Sequence, residues 1–457
     1  MKILFIYTNV NGAHEDNYAF GLATIISVAR NLGHDCRVEL VTRQEMFADV
    51  LDRFGRFEPE LVGFTSVTSQ FSVVKDLAAK LKHRNSQVKI ICGGVHPTLW
   101  PESILEADAI DLFVIGEGEH AFAQLLDKLS NKEPYYTCPN LVYARQGLVM
   151  KTRLLPMEEY LDTLPFPDRE IYPLEDTVRK AGFAPFHFAR GCPFPCTYCA
   201  NHAQAHVYGE EKSRVRSPSP EYCIREIEAA LHAHGFIKKI AIYDDIFGLN
   251  RKWRNEFLSL YRERVRVPYL VLLRADVLTE EFARQLKETG CERILFGVES
   301  GNDYIRNEVM KRTMSRDTIV KAFQLAHAYG METNAINIIG VPGETEAMLW
   351  DTIKLNREIR PTSSGVNIFY PYKGTELGDQ CFQTGLVTDE MVRNFTNERR
   401  ETVLGYDHEW RKRLSYYHKK WPRLVYPFWS FNYLKSLISD VPVLGNVARS
   451  LYRAVTR

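Results

Sequence analysis

Three cysteines, Cys192, Cys196 and Cys199, stand within eight residues in the stretch RGCPFPCTYCANH (190–202). Their spacing is Cys-x3-Cys-x2-Cys. A structural zinc site uses four ligands, usually as two separated pairs, and no second close pair stands in this chain. A cubane [4Fe–4S] cluster is normally held by four cysteine thiolates. Three thiolates on one loop would leave one iron with an open coordination position, which a chelating substrate can fill. Pro193 and Pro195 stiffen the loop and carry no N–H that needs a partner. Gly191 permits a tight turn before the first thiolate.

The other six cysteines, Cys36, Cys92, Cys138, Cys223, Cys291 and Cys381, are scattered, and the total of nine is odd. With no signal peptide at the start of the sequence as given, this pattern points to free thiols, a reducing compartment and a cytoplasmic location. The 457 residues suggest two or three domains. A net charge of +1 gives no global field for nucleic acid, so no nucleic-acid partner is expected. No apolar run approaches the length of a membrane span.

The elements that must position the cysteines form two series. Short apolar runs at 3–8, 37–41, 61–66, 88–92 and 111–115 alternate with amphipathic stretches such as 19–32 and 70–83. This predicts a doubly wound parallel sheet covered on both faces, over residues 1–135. Ligands of such sheets sit beyond the carboxyl ends of the strands, here segments 65–70, 93–101 and 116–120. Residues 136–183, rich in proline and charge, read as a linker. Strands then resume at 186–190, 239–244, 269–274, 293–299, 333–340 and 365–370. Six β/α units are too few for a closed eightfold barrel, so 184–380 is expected to be a partial (β/α)6 barrel, making the whole chain α/β. Residues 381–457 form a helical C-terminal extension, aromatic and basic.

CxxxCxxC with an aromatic, Tyr198, before its third cysteine resembles the cluster motif of the radical S-adenosylmethionine (SAM) superfamily. The resemblance implies that SAM binds the fourth iron through its amino and carboxylate groups. An electron from the cluster then cleaves SAM to methionine and a 5′-deoxyadenosyl radical. The resemblance also implies SAM contacts at Tyr198 and at later strand ends. Asp244 and Asp245, in AIYDDIFGLN (241–250), fall where the superfamily has a Gly-Gly-Glu-like loop, although Gly-Gly-Glu itself is absent. Arg274, in LLRAD, is expected to pair with the SAM carboxylate. Glu299 and Ser300, in FGVESGND (296–303), resemble the polar pair that reaches the SAM ribose or carboxylate. Gly340 and Gly343, in NIIGVPGET (337–345), resemble the adenine-contacting glycine motif. This resemblance covers roughly residues 184–375.

Three loops of the first series, GFTSVTS (63–69), CGGVHPTLWPE (92–102) and GEGEHAF (116–122), together resemble the cobalamin-binding domain that precedes many radical SAM barrels. The corrin contacts implied are Thr65, Ser66, Gly93, Gly94, His96, Gly116, Glu117 and Gly118. The Asp-x-His-x-x-Gly motif of many cobalamin proteins is missing. His14, in NVNGAHEDNYAFG (9–21), lies in a different frame and reads as a polar loop residue. Cobalamin is therefore expected without histidine ligation, His96 as a loop contact and Cys92 as a buried strand cysteine. Neither Gly-x-Gly-x-x-Gly nor a Walker A sequence is present to favour a nucleotide domain.

The two halves together resemble cobalamin-dependent class B radical SAM enzymes, with a [4Fe–4S] cluster, SAM and cobalamin as cofactors. The implied reaction is methyl transfer to an unactivated carbon or phosphorus. One SAM methylates cob(I)alamin, a second supplies the radical, and the substrate radical collects the methyl group. A small-molecule substrate and a flavodoxin- or ferredoxin-type reductant are the implied partners. A non-methylating cyclase or rearrangement enzyme uses the same scaffold. A methylthiotransferase would carry a second cysteine trio in its first domain, whereas Cys36, Cys92 and Cys138 are widely spread. A cobalamin-binding regulator would not need the intact trio. From Glu401 onward the chain has ten Lys or Arg against four Asp or Glu, with eleven aromatics. That composition suits either a membrane-surface contact, with a lipid-like substrate, or a helical cap on the barrel.

Overall fold

The computed structural model describes residues 1–11, 18–171, 174–209, 214–393, 395–428, 430 and 432–433. His14 and the tail beyond 433 lie outside the described residues. The chain forms two compact units, residues 1–268 with 371–398, and residues 269–370 with 399–457.

The first unit is built on β1 (Lys2–Thr8), β2 (Asp35–Val41), β3 (Leu61–Thr65), β4 (Lys89–Gly93), β5 (Leu112–Val114), β6 (Leu141–Arg145) and β7 (Leu148–Lys151). Their order is β2-β1-β3-β4-β5-β6-β7. The first five are parallel. In β1, Ile3 and Phe5 enter one apolar layer while Leu4 and Ile6 enter the other, as a strand buried on both faces requires. Helices Phe20–Asn31 and Glu119–Ser130 cover one face, and Phe47–Phe57 and Phe71–Arg84 cover the other. The order reverses at β1, so the loops after β3, β4 and β5 open at the carboxyl edge of the sheet.

Residues 141–151, inside the expected linker, instead extend this sheet as an antiparallel hairpin. Gln146 and Gly147 both take positive φ, 53° and 75°, the backbone of a tight two-residue turn. Within β6 only Leu141 and Val142 are buried, so the hairpin lacks a continuous apolar run.

The second series supplies six parallel strands. β8 (Ala184–Phe186) and β9 (Ile240–Ile242) belong to the first unit. β10 (Tyr269–Leu273), β11 (Cys291–Glu299), β12 (Glu332–Ile339) and β13 (Ser363–Ile368) pair in sequence order in the second. Each strand leads into at least one helix, the pattern of a partial barrel.

In the second unit, helix His408–Val425 is capped by Asp407, whose carboxylate accepts the Trp410 N–H at 2.8 Å. Leu414, Tyr417, Trp421 and Val425 recur at helical spacing and bury against Ile339, Leu349, Ile353 and Ile368. The Trp421 indole also donates to Ser364 Oγ at 2.9 Å. These eighteen residues of the extension are thus a helical cap on their unit. Among the described residues no helix is long and apolar enough to cross a membrane.

The turn after β12 closes on a buried carboxyl. Glu344 Oε2 accepts the Gly340 N–H at 2.6 Å. Burial raises its pKa from 4.5 to about 8, against the backbone N–H groups of Gly340 and Val341. A value raised on folding favours the folded state fully below the ordinary pKa, and that contribution is lost as pH rises through the folded value. Glu344→Gln keeps an acceptor for Gly340 and cannot ionise. We expect its melting temperature to overtake that of the parent chain by about pH 9; parallel profiles between pH 5 and 9 would contradict a buried acid here. Trp421→Ala should cost about 3–5 kcal/mol in denaturant unfolding, and a loss under 1 kcal/mol would show that the cap helix is not part of the core.

Candidate functional site

The cysteine loop runs from β8 and is steered by Asp244, which follows β9. Asp244 Oδ1 accepts the backbone N–H groups of Phe188 (2.6 Å) and Ala189 (3.1 Å). Burial raises this carboxyl to about 6, opposed by His187 and by the two N–H groups. Arg190 then exchanges two backbone hydrogen bonds with Arg216, at 2.8 and 2.9 Å. Gly191 turns the chain at φ +86°. Cys196 is buried, Cys192 and Cys199 are half-buried, and none is in a disulfide. Cys199 starts helix Ala200–Val207, and the Asn201 N–H is directed at its sulfur. Burial pushes the Cys199 thiol up to about 12, and Cys196 and Cys192 are close enough to add to the shift.

Among the described residues no three Cys, His, Asp or Glu side chains converge as a single metal ion demands. A cubane asks for something else, one thiolate on each of several separate irons. Three neighbouring unbridged thiols on one loop fit that demand. Tyr198 is half-buried between the last two of them.

One cavity of about 510 Å³ lies within the first unit. Thr65, Gly93, Gly94, Gly116, Glu117 and Gly118 line it, as do Arg190, Gly191 and Asp245. Asn201, Gln204, Ala205 and Tyr208 also face it, which is one stripe of the helix that leaves Cys199. Gly94 sits at φ +101°, and a Cβ there would lie 2.8 Å from Ser66 O and Thr65 Oγ1. Thr98 ties the two glycine loops together: its hydroxyl donates to Gly94 O (2.7 Å) and accepts the Gly116 N–H (3.0 Å). A Cβ at Gly116 would strike the Tyr208 hydroxyl, which accepts the Glu117 N–H.

Ser66 and His96 do not line this cavity. Ser66 is buried and its backbone bonds Gly93 and His96. The His96 ring lies 4.0 Å from the Phe71 ring, with Thr68 Oγ1 at 3.2 Å and Ser103 Oγ at 3.0 Å from its nitrogens. Burial, with Lys75 and Lys373 nearby, lowers its pKa to about 3. The ring is neutral and fully engaged in holding the loop.

Ion pairs join the β5 loop to the cysteine loop. Arg190 contacts Glu119 at 2.6 Å and Glu117 at 3.4 Å, and Arg216 also pairs with Glu117. Burial alone would raise the Glu117 pKa, but Arg216 and Arg190 hold it below the usual carboxylate range. Arg190, Arg216, Glu119, Tyr208 and Thr98 were not singled out from sequence. Arg190 precedes Gly191 directly, but nothing local names its partner 71 residues away.

In the second unit, Arg274 is buried and spends its guanidinium on both Asp276 oxygens (3.0 and 2.9 Å) and on Arg312 O (2.6 Å). Glu299 ends β11 at φ +63°, a left-handed conformation that costs a non-glycine residue about 1–3 kcal/mol. Its carboxylate lies 3.5 Å from Arg312 and folds over Gly297, where a Cβ would meet it at 2.6 Å. Ser300 is buried and accepts the Asn302 N–H at 3.2 Å. Gly340 (φ +75°) packs under Leu414, and Gly343 (φ +81°) has open space around it. These residues occupy carboxyl ends of β10, β11 and β12.

Comparison with known proteins agrees with this anatomy. A model of the B12 binding domain matches residues 8–126, and one of the radical SAM superfamily matches residues 186–355. An uncharacterized methyltransferase of Pyrococcus horikoshii is 30% identical over 382 residues, covering 82% of this chain and 81% of that one. An anaerobic magnesium-protoporphyrin IX monomethyl ester cyclase of Rubrivivax gelatinosus is 27% identical, over 83% of this chain and 70% of its own. Among solved structures, the radical SAM methyltransferase TsrM of Kitasatospora setae, with cobalamin and a [4Fe–4S] cluster bound, superposes with a TM-score of 0.69. That match has 18% identity and covers 84% of this chain and 79% of the other. The chain belongs to the radical SAM superfamily, in the group whose barrel follows a B12-binding domain, and its cofactors are a [4Fe–4S] cluster, SAM and cobalamin.

Proposed function

We propose that this enzyme transfers a methyl group to an unactivated carbon or phosphorus of a small-molecule or lipid-like substrate. The observation that carries the reading is the shared cavity, in which the glycine loops after β4 and β5 face the helix that leaves Cys199. Loops suited to a corrin and the loop suited to the cluster thus open on one space. When bound, the cluster with SAM supplies a 5′-deoxyadenosyl radical and cobalamin supplies a transferable methyl group.

The chain's own residues hold and shield these groups. Cys192, Cys196 and Cys199 hold the cluster. Thr65, Gly93, Gly94, Gly116, Glu117 and Gly118 form the corrin wall, with Ser66 and His96 supporting it from behind. In the first unit Tyr198 and Asp245 are the SAM contacts, with Asp244 fixing the cysteine loop; in the second unit Glu299, Ser300, Gly340 and Gly343 are SAM contacts, with Arg274 fixing the loop after β10. Apolar side chains Phe20, Met157, Leu161, Leu164 and Phe188 line the remaining cavity wall and exclude water from a radical site. A flavodoxin- or ferredoxin-type protein is the reductant.

The direct test is iron and cobalt per chain after anaerobic purification from cells supplied with cobalamin. About four irons and one cobalt are expected, with S-adenosylhomocysteine and 5′-deoxyadenosine both formed on substrate. Iron without cobalt would remove the methyl carrier. Formation of 5′-deoxyadenosine alone would favour the non-methylating cyclase reading, to which the Rubrivivax relative belongs by name.

A lipid-like substrate brings in the exposed face of helix His408–Val425, where Arg411, Lys412, Tyr416 and Lys419 face solvent. Each lysine near an anionic membrane surface contributes about 1 kcal/mol. Reversing two, Lys412→Glu with Lys419→Glu, should lower partition onto phosphatidylserine vesicles by at least about tenfold at low salt. Equal binding by both proteins, or none by the parent, would leave the helix as a cap alone.

A further inference from the structure

Residues 371–398 follow β13 in sequence yet belong to the first unit. They touch the loops at the carboxyl edge of its sheet one after another. The Lys373 ammonium lies 3.6 Å from the Trp100 ring centroid and 4.7 Å from that of Phe382, and pairs with Asp389 at 2.5 Å. Gly374, at φ +80°, lies so close to Leu99 that a Cβ would come within 3.3 Å of it. The Leu377 N–H donates to Thr197 O, between the second and third cysteines, at 2.9 Å. Arg393 reaches Glu106 at 3.1 Å, Thr396 accepts from Asn11 at 3.3 Å, and Glu398 accepts from Ser69.

Trp100 ends the short helix Val95–Leu99, whose Thr98 ties Gly94 to Gly116. The segment that grips Trp100 therefore grips both glycine loops, and a few residues later it grips the cysteine loop. We propose that Lys373 is a positioning residue: by clamping Trp100 it fixes the corrin-side loops at a set distance from the cysteine loop held by Leu377. A lysine sandwiched between two aromatic faces and anchored by a carboxylate has a defined position, which a surface lysine lacks. Lys373 touches no reacting atom, and its effect runs through Trp100 and Thr98.

This inference rests on the assignment of the Gly94 and Gly116 loops to the corrin, and a separate variant tests that assignment. The full chain is reconstituted with iron, sulfide and hydroxocobalamin. Iron content, melting temperature, hydroxocobalamin affinity and the electron paramagnetic resonance spectrum of bound cob(II)alamin are measured. Lys373→Met should weaken cobalamin binding about tenfold and alter the cob(II)alamin spectrum even at saturation, with iron content unchanged. Lys373→Arg keeps the cation over the rings and should restore both to within about twofold of the parent. Gly94→Val should abolish cobalamin binding. If Gly94→Val binds cobalamin like the parent, the loop assignment fails and the inference with it. If Gly94→Val loses cobalamin while Lys373→Met keeps the parent affinity and spectrum, Lys373 positions nothing. Loss of iron and melting temperature in Lys373→Met, without rescue by arginine, would mark a general folding role and overturn the proposal.

Discussion

Two arginines facing two glutamates hold the loops of this site in register. Many of the residues that face the cavity are glycines, which leave room and offer little to pack against. The glycines themselves cannot anchor the loops. Anchoring falls to the residues beside them, and the pairs formed by Arg190 and Arg216 with Glu117 and Glu119 do that work. Such pairs are seldom more stable than apolar packing of equal volume, because desolvation offsets their attraction. Their value is directional. A guanidinium fork accepts one arrangement of carboxylates, and losing one partner leaves a buried charge that costs about 3–5 kcal/mol.

In the second unit a carboxylate is held by strain. Glu299 is driven into a left-handed conformation at the end of β11, and Arg312 and the bare Gly297 beneath it absorb the consequence. A carboxylate held this way has little conformational freedom left. Ser300 and Glu344 act similarly, each closing a turn through backbone N–H groups rather than through side-chain packing.

Features encoded over a few residues were legible in the sequence. The cysteine trio declared itself by spacing, and the central parallel strands declared themselves as uninterrupted apolar runs. The hairpin at 141–151 did not, because it adds at a sheet edge where one side of each strand stays wet. Site residues with distant partners were also invisible. Arg190 and Glu119 are 71 residues apart, and Lys373 reaches Trp100 across most of the barrel sequence. Asp244 was legible as a polar strand end, but its grip on the Phe188 and Ala189 backbone follows only from three-dimensional adjacency. The extension was ambiguous in composition because a basic aromatic helix suits a barrel and a membrane equally. The inward spacing of Leu414, Tyr417, Trp421 and Val425 resolves one face of it.

The discontinuity of the first unit has a consequence for biosynthesis. Its five parallel strands, both faces covered, are complete within the first 130 residues, so the sheet can form while the rest of the chain is still being made. The segment that clamps its Gly94 and Gly116 loops comes some 270 residues after Trp100. At about 5–20 residues per second, those loops wait roughly 14–55 s on the ribosome before Lys373 emerges. During that interval the glycine loops have a scaffold but no clasp. The clasp closes only after every strand of the barrel has been synthesised, so an abandoned nascent chain never acquires it.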